Sequence, residues 1–490
     1  MLFNSLTYLL FLPLVVLVFW LLPHRFRSTF LLLASLYFYM SWLPIYGFLL
    51  VALIVTNYFL GQLIGSGKHS GRYLALGVIF NLTTLSYYKY ANFAIESWNT
   101  ATKIISPWLQ VPTQSLSFPL QNILLPLGIS FFVFEFIHYL TDVYKGGKPI
   151  ANFVNFSLFA SFFPSQIAGP IKRYQDFIKQ LERPRIFSTE AIERGLRLIL
   201  QGLFKKVAIA DNLAPIVSAG FANTGSLGGL EAWIAACAFA GQIYCDFSGY
   251  TDMGRGSAIM LGFDLPDNFN WPYIAKNLPD FWKRWHISLS SWLRDYLYIP
   301  LGGSKCSLSR RHSNLIVTML LGGLWHGAAW HYVVWGAFHG IGLVICHSYD
   351  SLIKKDTVLA RNLTKFHTTS GGIALSALLT FLFVLVGWVF FRADTVNESL
   401  QVLQAMFSTQ SSSCLTEALE KYPVAIAIAA YVIGRLLVDR KKQLEALLPQ
   451  SLRASLAPLA PARIACYIAF FICAFGLSPA GKTPFIYFQF

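Results

Sequence analysis

Strongly apolar segments recur from residue 5 to residue 477 with no long polar break between them. This pattern limits the fold more than any other feature of the chain. Of its 490 residues, 55% are hydrophobic and only 12% are charged. Soluble domains carry about 25% charged residues. One water-soluble core of this size could not hide so much apolar surface, so lipid is the expected solvent. Length alone would allow about three soluble domains. The unbroken pattern instead predicts one all-α, polytopic membrane domain covering 1–490. Within it, 1–145 carries N-terminal spanning helices, 146–350 a central region with re-entrant elements, and 351–490 further spanning helices.

Residues 5–22, 28–43, 45–65, 73–90 and 122–140 approach or meet the ~20 apolar residues that cross a bilayer. Later candidates are 198–220, 230–263, 313–330, 331–348, 372–391, 422–438 and 463–478, and about eleven crossings are expected. Residues 1–22 hold no Lys or Arg, and the first charges are Arg25 and Arg27. A cleavable signal peptide would need a basic start. The positive-inside bias instead puts the N-terminus outside and the Arg25, Arg27, Lys68 and Arg72 loops in the cytoplasm. Residues 96–121 would then lie outside. The run Phe162-Phe163-Pro164-Ser165-Gln166-Ile167-Ala168-Gly169-Pro170 is too short and broken to span. It predicts a re-entrant or interfacial element, which protein must shield if it enters the hydrocarbon. Residues 264–312 mix Trp271, Trp282, Trp285 and Trp292 with charges, as interfacial helices or helices dipping into a protein-lined cavity would. Pairs of repeated segments of the kind that build many transporters are not evident.

The formal net charge of +15 does not point to nucleic acid, because the cations sit in short loops between apolar segments. Membrane lipid, or an anionic acyl donor at the cytoplasmic face, is the natural contact. The seven cysteines are scattered, with no C-x-x-C, so neither a disulfide framework nor a metal site is expected. Gly254-Arg255-Gly256 lacks the third glycine of a dinucleotide fingerprint. No nucleophile elbow, Walker A or H-E-x-x-H occurs. Sequons at Asn81, Asn155, Asn362 and Asn397 imply nothing alone.

Ionisable side chains at membrane depth are costly and default to functional candidates. Histidine also titrates near neutral pH. Two histidines in tryptophan-rich sequence therefore stand out. His326 follows Trp325, precedes Gly327, and has Gly322-Gly323 one turn back. Such glycines suit a narrow tunnel or close helix packing. His286 follows Lys283, Arg284 and Trp285. Those cations would keep its imidazole neutral and able to accept a proton, or hold an anionic donor by charge-assisted hydrogen bonds. They are equally explained as membrane-orienting charges. His331, His339 and His347 do not share one narrow helical face with His326. Of these, His339 in Gly336-Ala337-Phe338-His339-Gly340 is the secondary candidate. His138 beside Glu135 could form a buried polar pair.

Three blocks resemble one family. FWKRWHISLSSWLRDYLYIPLGGSK at 281–305, GGLWHGAAW at 322–330 and FFPSQIAGPIKRY at 162–174 are similar to membrane-bound O-acyltransferases. The likeness is closest to their bacterial alginate O-acetyltransferase branch. The opening MLFNSLTYLLFLP and the closing PFIYFQF resemble the same branch. The resemblance implies a bundle of helices around a central tunnel. It also implies that His326 matches the family's invariant histidine and His286 its second position. The implied reaction uses acetyl-CoA as donor substrate, with no tightly bound cofactor. The acetyl group would pass from the cytoplasm to an exported polysaccharide, or to a periplasmic partner protein that relays it, across a bacterial inner membrane. Lys283, Arg284, Trp285, Trp325 and His339 are then expected to contact substrate. No serine or cysteine in these motifs has a nucleophile's setting, so direct transfer is expected. D-alanyl or other acyl transfer to a cell-wall polymer is the near alternative. A proton-coupled transporter and a non-catalytic assembly subunit are the distant ones. Residues 352–370 and 392–421 match no motif.

Overall fold

The computed structural model describes residues 1, 3–167, 169–353, 357–410, 461–476 and 485–486. All regular elements among the described residues are helical. The candidate span 422–438 lies outside the described residues.

The first helix, Leu6–Leu21, shows how the chain meets its solvent. Ser5 caps it by accepting from the Tyr8 N–H at 3.2 Å, which satisfies one of the orphan donors of a first turn. Every four or three residues brings a side chain back to one face. Leu6, Leu10, Leu14, Leu17 and Leu21 form such a face and are all exposed, while Tyr8, Leu12, Val15 and Phe19 are buried on the other. Contiguous exposed apolar surface of this kind marks contact with lipid or protein. The same holds for Ile45, Phe48 and Phe59 on Pro44–Gly65, and for Leu375, Leu378 and Leu379 on Ser370–Arg392. Those last two helices are long and apolar enough to cross a membrane by length and composition.

The expected span 122–140 is displaced. Residues 117–126 carry no regular structure, and the helix runs Ile129–Tyr144. Pro126 has no N–H to donate, and Gly128 takes a left-handed φ of 74°, so the chain turns before it coils. Thirteen of the sixteen residues of this helix are buried, which makes it a central helix with little surface for lipid. The segment 163–166 is buried throughout. Protein encloses this segment, which is the condition for irregular backbone at membrane depth.

The longest helix, Gly229–Met260, packs along Thr189–Leu203. Glycines let the two backbones touch: a Cβ at Gly256 would lie 2.5 Å from the Gly195 carbonyl oxygen, and one at Gly249 2.7 Å from that of Gly202. The charges that interrupt its apolar run are paired internally. Lys205 holds Asp252 at 2.6 Å, and Lys206 bridges Asp211 at 2.7 Å and Asp246 at 2.9 Å. Asp246 also accepts the Ile486 backbone N–H at 2.8 Å. Buried charges need such partners.

Candidate active site

His326 is the last residue of the helix Leu308–His326. That helix runs against Trp330–Ile353 with almost no space between backbones. A Cβ at Gly323 would overlap the Tyr332 carbonyl, and one at Gly336 the Met319 carbonyl. The glycines flanking the motif thus serve close packing, and the break near Gly327 turns the second helix back along the first. His326 is buried, with Trp325, Trp335 and Phe391 ring centroids at 5.0, 5.2 and 5.1 Å.

His286 comes from a different part of the chain. It separates the short helices Leu278–Arg284 and Ile287–Leu293, and its own backbone is left-handed at φ 42°, ψ 55°. A non-glycine residue is uncommon there and costs of order 1–3 kcal/mol unless its surroundings enforce it. Asn268 enforces it. Its carbonyl accepts the Ile287 N–H at 3.0 Å, and its Oδ1 accepts the Ser288 hydroxyl at 2.6 Å. Ser288 Oγ in turn accepts the Ile171 N–H at 3.0 Å. The resulting bend drives the fully buried imidazole inward, against Phe247 at 4.7 Å and perpendicular to it.

The two histidines, 40 positions apart in sequence, meet with ring centroids 6.4 Å apart. Trp325 lies 5.7 Å from His286 and is held by the central helix through Phe131 and Phe134 at 5.2 and 5.6 Å. Phe134 also stacks on Trp292 at 3.7 Å. Trp285 is buried one layer out, against Phe281 and Trp388. Trp335 connects His326 to His339, whose ring is 4.9 Å away and fully buried.

The two cations before His286 do not join this group. Lys283 is exposed, and Arg284 is bound to Asp280 at 2.8 Å and to the Asn270 carbonyl at 3.2 Å. His331 Nδ1 donates to the Phe390 carbonyl at 3.0 Å, and His347 meets Arg311 at 2.9 Å, both as local contacts. The His138–Glu135 pairing is corrected. Glu135 is bound by Lys172 at 2.8 and 2.9 Å, both buried, while His138 packs against Tyr296 and Phe159.

A polar cleft of about 390 Å³ lies along the helix Gly229–Met260. Lys205, Ser248, Thr251, Asp252, Arg255 and Asn268 line it, together with Ile287, the residue after His286. Lys89 is a residue that the sequence does not single out. Its ammonium reaches the Trp325 and His326 carbonyls at 2.6 and 3.0 Å.

Residues 74–366 match the family model of the membrane-bound O-acyltransferases. The "Probable alginate O-acetylase AlgI" of Azotobacter vinelandii is 39% identical over the whole of both chains. The "Peptidoglycan O-acetyltransferase" of Helicobacter pylori is 37% identical, covering 78% of this chain and 74% of its own. The "Teichoic acid D-alanyltransferase" of Streptococcus thermophilus is 27% identical, covering 60% and 75%. The chain belongs to the membrane-bound O-acyltransferase family and is an O-acyltransferase.

Proposed function

We propose that the protein moves an acetyl group from cytoplasmic acetyl-CoA to a hydroxyl on the far side of a bacterial inner membrane. The acceptor is an exported polysaccharide, or a periplasmic partner protein that passes the group on. The observation that carries this reading is the meeting of His286 and His326 at 6.4 Å inside a buried aromatic enclosure. Two relatives, one matched over its whole length and one over about three quarters, bear names that specify O-acetylation of alginate and of peptidoglycan, which supports the choice of group and acceptor class.

His326 acts as general base. Its ring nitrogen takes the acceptor's hydroxyl proton as the oxygen bonds to the thioester carbonyl carbon. The tetrahedral intermediate then expels the CoA thiolate, which takes the proton back from the imidazolium. The C–S bond is replaced by C–O, and no proton is gained or lost overall. Such proton transfer is typically worth ~10²–10⁴-fold. His286 orients the thioester or steadies developing charge, an effect that is larger where water is excluded. The aromatic walls supply that exclusion. The polar cleft, whose lining includes Ile287, carries the cationic and hydroxyl groups that suit a nucleotide-bearing donor. Lys283, which is exposed, supplies a cation for the donor phosphates, whereas Arg284 acts through its bond to Asp280. Eleven crossings around a tunnel remain part of this proposal.

The test is transfer of labelled acetyl from acetyl-CoA to polysaccharide by the purified protein in vesicles. Absence of transfer, with acceptor and partner supplied, refutes the reading. Loss of O-acetyl groups from surface glycans when the protein is removed identifies the polymer.

A further inference from the structure

The last turn of a helix leaves its carbonyls without intrahelical donors. Buried, such groups cost free energy comparable to a lost hydrogen bond. The helix that ends in His326 has this problem at the position where its final side chain is needed for chemistry. Two neighbouring residues from the far N-terminal part of the chain solve it. Tyr90 Oη donates to the Leu324 carbonyl at 2.7 Å. Lys89 Nζ donates to the Trp325 carbonyl at 2.6 Å and the His326 carbonyl at 3.0 Å. Three successive carbonyls are thus held by two adjacent side chains, across 234 to 237 residues of sequence.

Local backbone explains how consecutive side chains reach one target. Residues Ser86–Tyr90 form a π-helical turn inserted between Ser70–Leu85 and Ala91–Leu109. Such insertions occur mostly as single turns within α-helices, often at functional sites. The ammonium finds no carboxylate within 4.0 Å among the described residues. Its charge is instead set against the negative end of the His326 helix, where a cation is favoured, and 6.0 Å from the Trp325 ring.

We propose that Lys89 and Tyr90 are positioning residues for His326: their clamp on the Leu324, Trp325 and His326 carbonyls fixes the helix end that carries the base. The inference deepens the proposed reaction and rests on His326 being its base. Without the clamp, the end frays toward water, and the imidazole loses its register while the donor cleft, lined by other elements, is untouched.

The experiment compares Lys89→Met, Lys89→Arg and Tyr90→Phe in the full-length protein in vesicles. Diethyl pyrocarbonate modification of His326, followed by peptide mass analysis, reports the ring's accessibility independently of acetyl transfer. Lys89→Met is expected to raise the modification rate at least fivefold, Tyr90→Phe by less, and Lys89→Arg to return it toward the parent value. In acetyl transfer, Lys89→Met is expected to lower kcat at least tenfold with the KM for acetyl-CoA within twofold. An unchanged modification rate in both Lys89→Met and Tyr90→Phe overturns the clamp, whatever turnover does. A parent protein that fails to use acetyl-CoA overturns the reaction instead, and the modification data then decide the clamp alone. Tyr90→Phe, which removes one hydroxyl, keeps the test open should Lys89→Met fail to fold.

Discussion

At the residue scale, the two histidines should differ in what their loss does. His326→Ala is expected to reduce kcat for acetyl transfer by ~10²–10⁴-fold, the usual worth of a positioned general base. Thermal stability should fall as well, because the deletion leaves a cavity among rigid rings, so turnover is compared at a temperature where both proteins stay folded. Wild-type turnover in that variant would refute the base assignment. Glu135 presents a different case. Glu135→Gln leaves Lys172 buried beside Phe159 and Phe177, with ring centroids at 5.0 and 5.6 Å. Removing one member of a buried pair typically costs about 3–5 kcal/mol, so a marked fall in the unfolding midpoint in detergent is expected. Replacing both, as Glu135→Leu with Lys172→Met, should recover most of it. A midpoint unchanged in Glu135→Gln would show that the pair is not needed. His326 and His286 were legible in the sequence because a polar ring in an apolar, tryptophan-rich segment is anomalous on its own. The Glu135–Lys172 pair was not, since its partners lie 37 residues apart and Lys172 reads as one more orienting cation. Lys89 was hidden for the same reason. Its targets are backbone carbonyls, and a carbonyl leaves no mark in a sequence.

At the scale of elements, glycine spacing carried real information about His326. Gly322-Gly323 suggested tight packing, and the helices Leu308–His326 and Trp330–Ile353 do meet backbone to backbone at Gly323 and Gly336. Gly336→Val is therefore expected to push the two helices apart, since its branched side chain would enter the Met319 peptide. The cost should exceed the about 1–3 kcal/mol typical of overpacking, because backbone cannot rotate away as a side chain can. Both stability and acetyl transfer should fall together. A Gly336→Val protein of normal stability and activity would show that the helices are free to separate. The element that sequence located poorly is Ile129–Tyr144. Residues 122–128 are as apolar as a span, and hydropathy does not separate an extended apolar approach from a helix. Pro126 and Gly128 mark the boundary only once the turn is seen. The sharp bend at His286 was likewise invisible. A left-handed histidine has no compositional signature, and the Asn268–Ser288 bonds that hold it link segments 20 residues apart.

At the scale of the whole molecule, the basic loops converge on one end of the bundle. The N-terminal ammonium donates to Ser41 Oγ at 2.9 Å, so the chain's start and the turn after the second helix share one end. The opposite end gathers several basic loops. A Cβ on Gly65 would press on Pro149, and one on Gly71 would touch Tyr144, which brings Lys145 and Lys148 to Lys68 and Arg72. Arg27 donates to the Arg185 carbonyl at 3.1 Å, which adds Arg183 and Arg185. Loops far apart in sequence, each basic, thus gather at one end, and in the proposed orientation the positive-inside bias assigns that end to the cytoplasm. Asp264, near the cleft-lining Asp267, joins the same side through Gln180 and Arg194. A donor reaching the cleft from this end would meet cations first, and long-range attraction of an anion by such loops weakens as salt rises. The orientation can be checked directly in spheroplasts bearing a cysteine-free version of the protein. Ser66→Cys and Gln114→Cys introduce exposed thiols at opposite ends of the continuous rod that runs from Ser70 to Leu109. A membrane-impermeant maleimide is expected to label Gln114→Cys in intact spheroplasts and Ser66→Cys only after lysis. The reverse pattern would turn the molecule over. It would put the polar cleft on the outside and take away the donor route on which the proposed transfer depends.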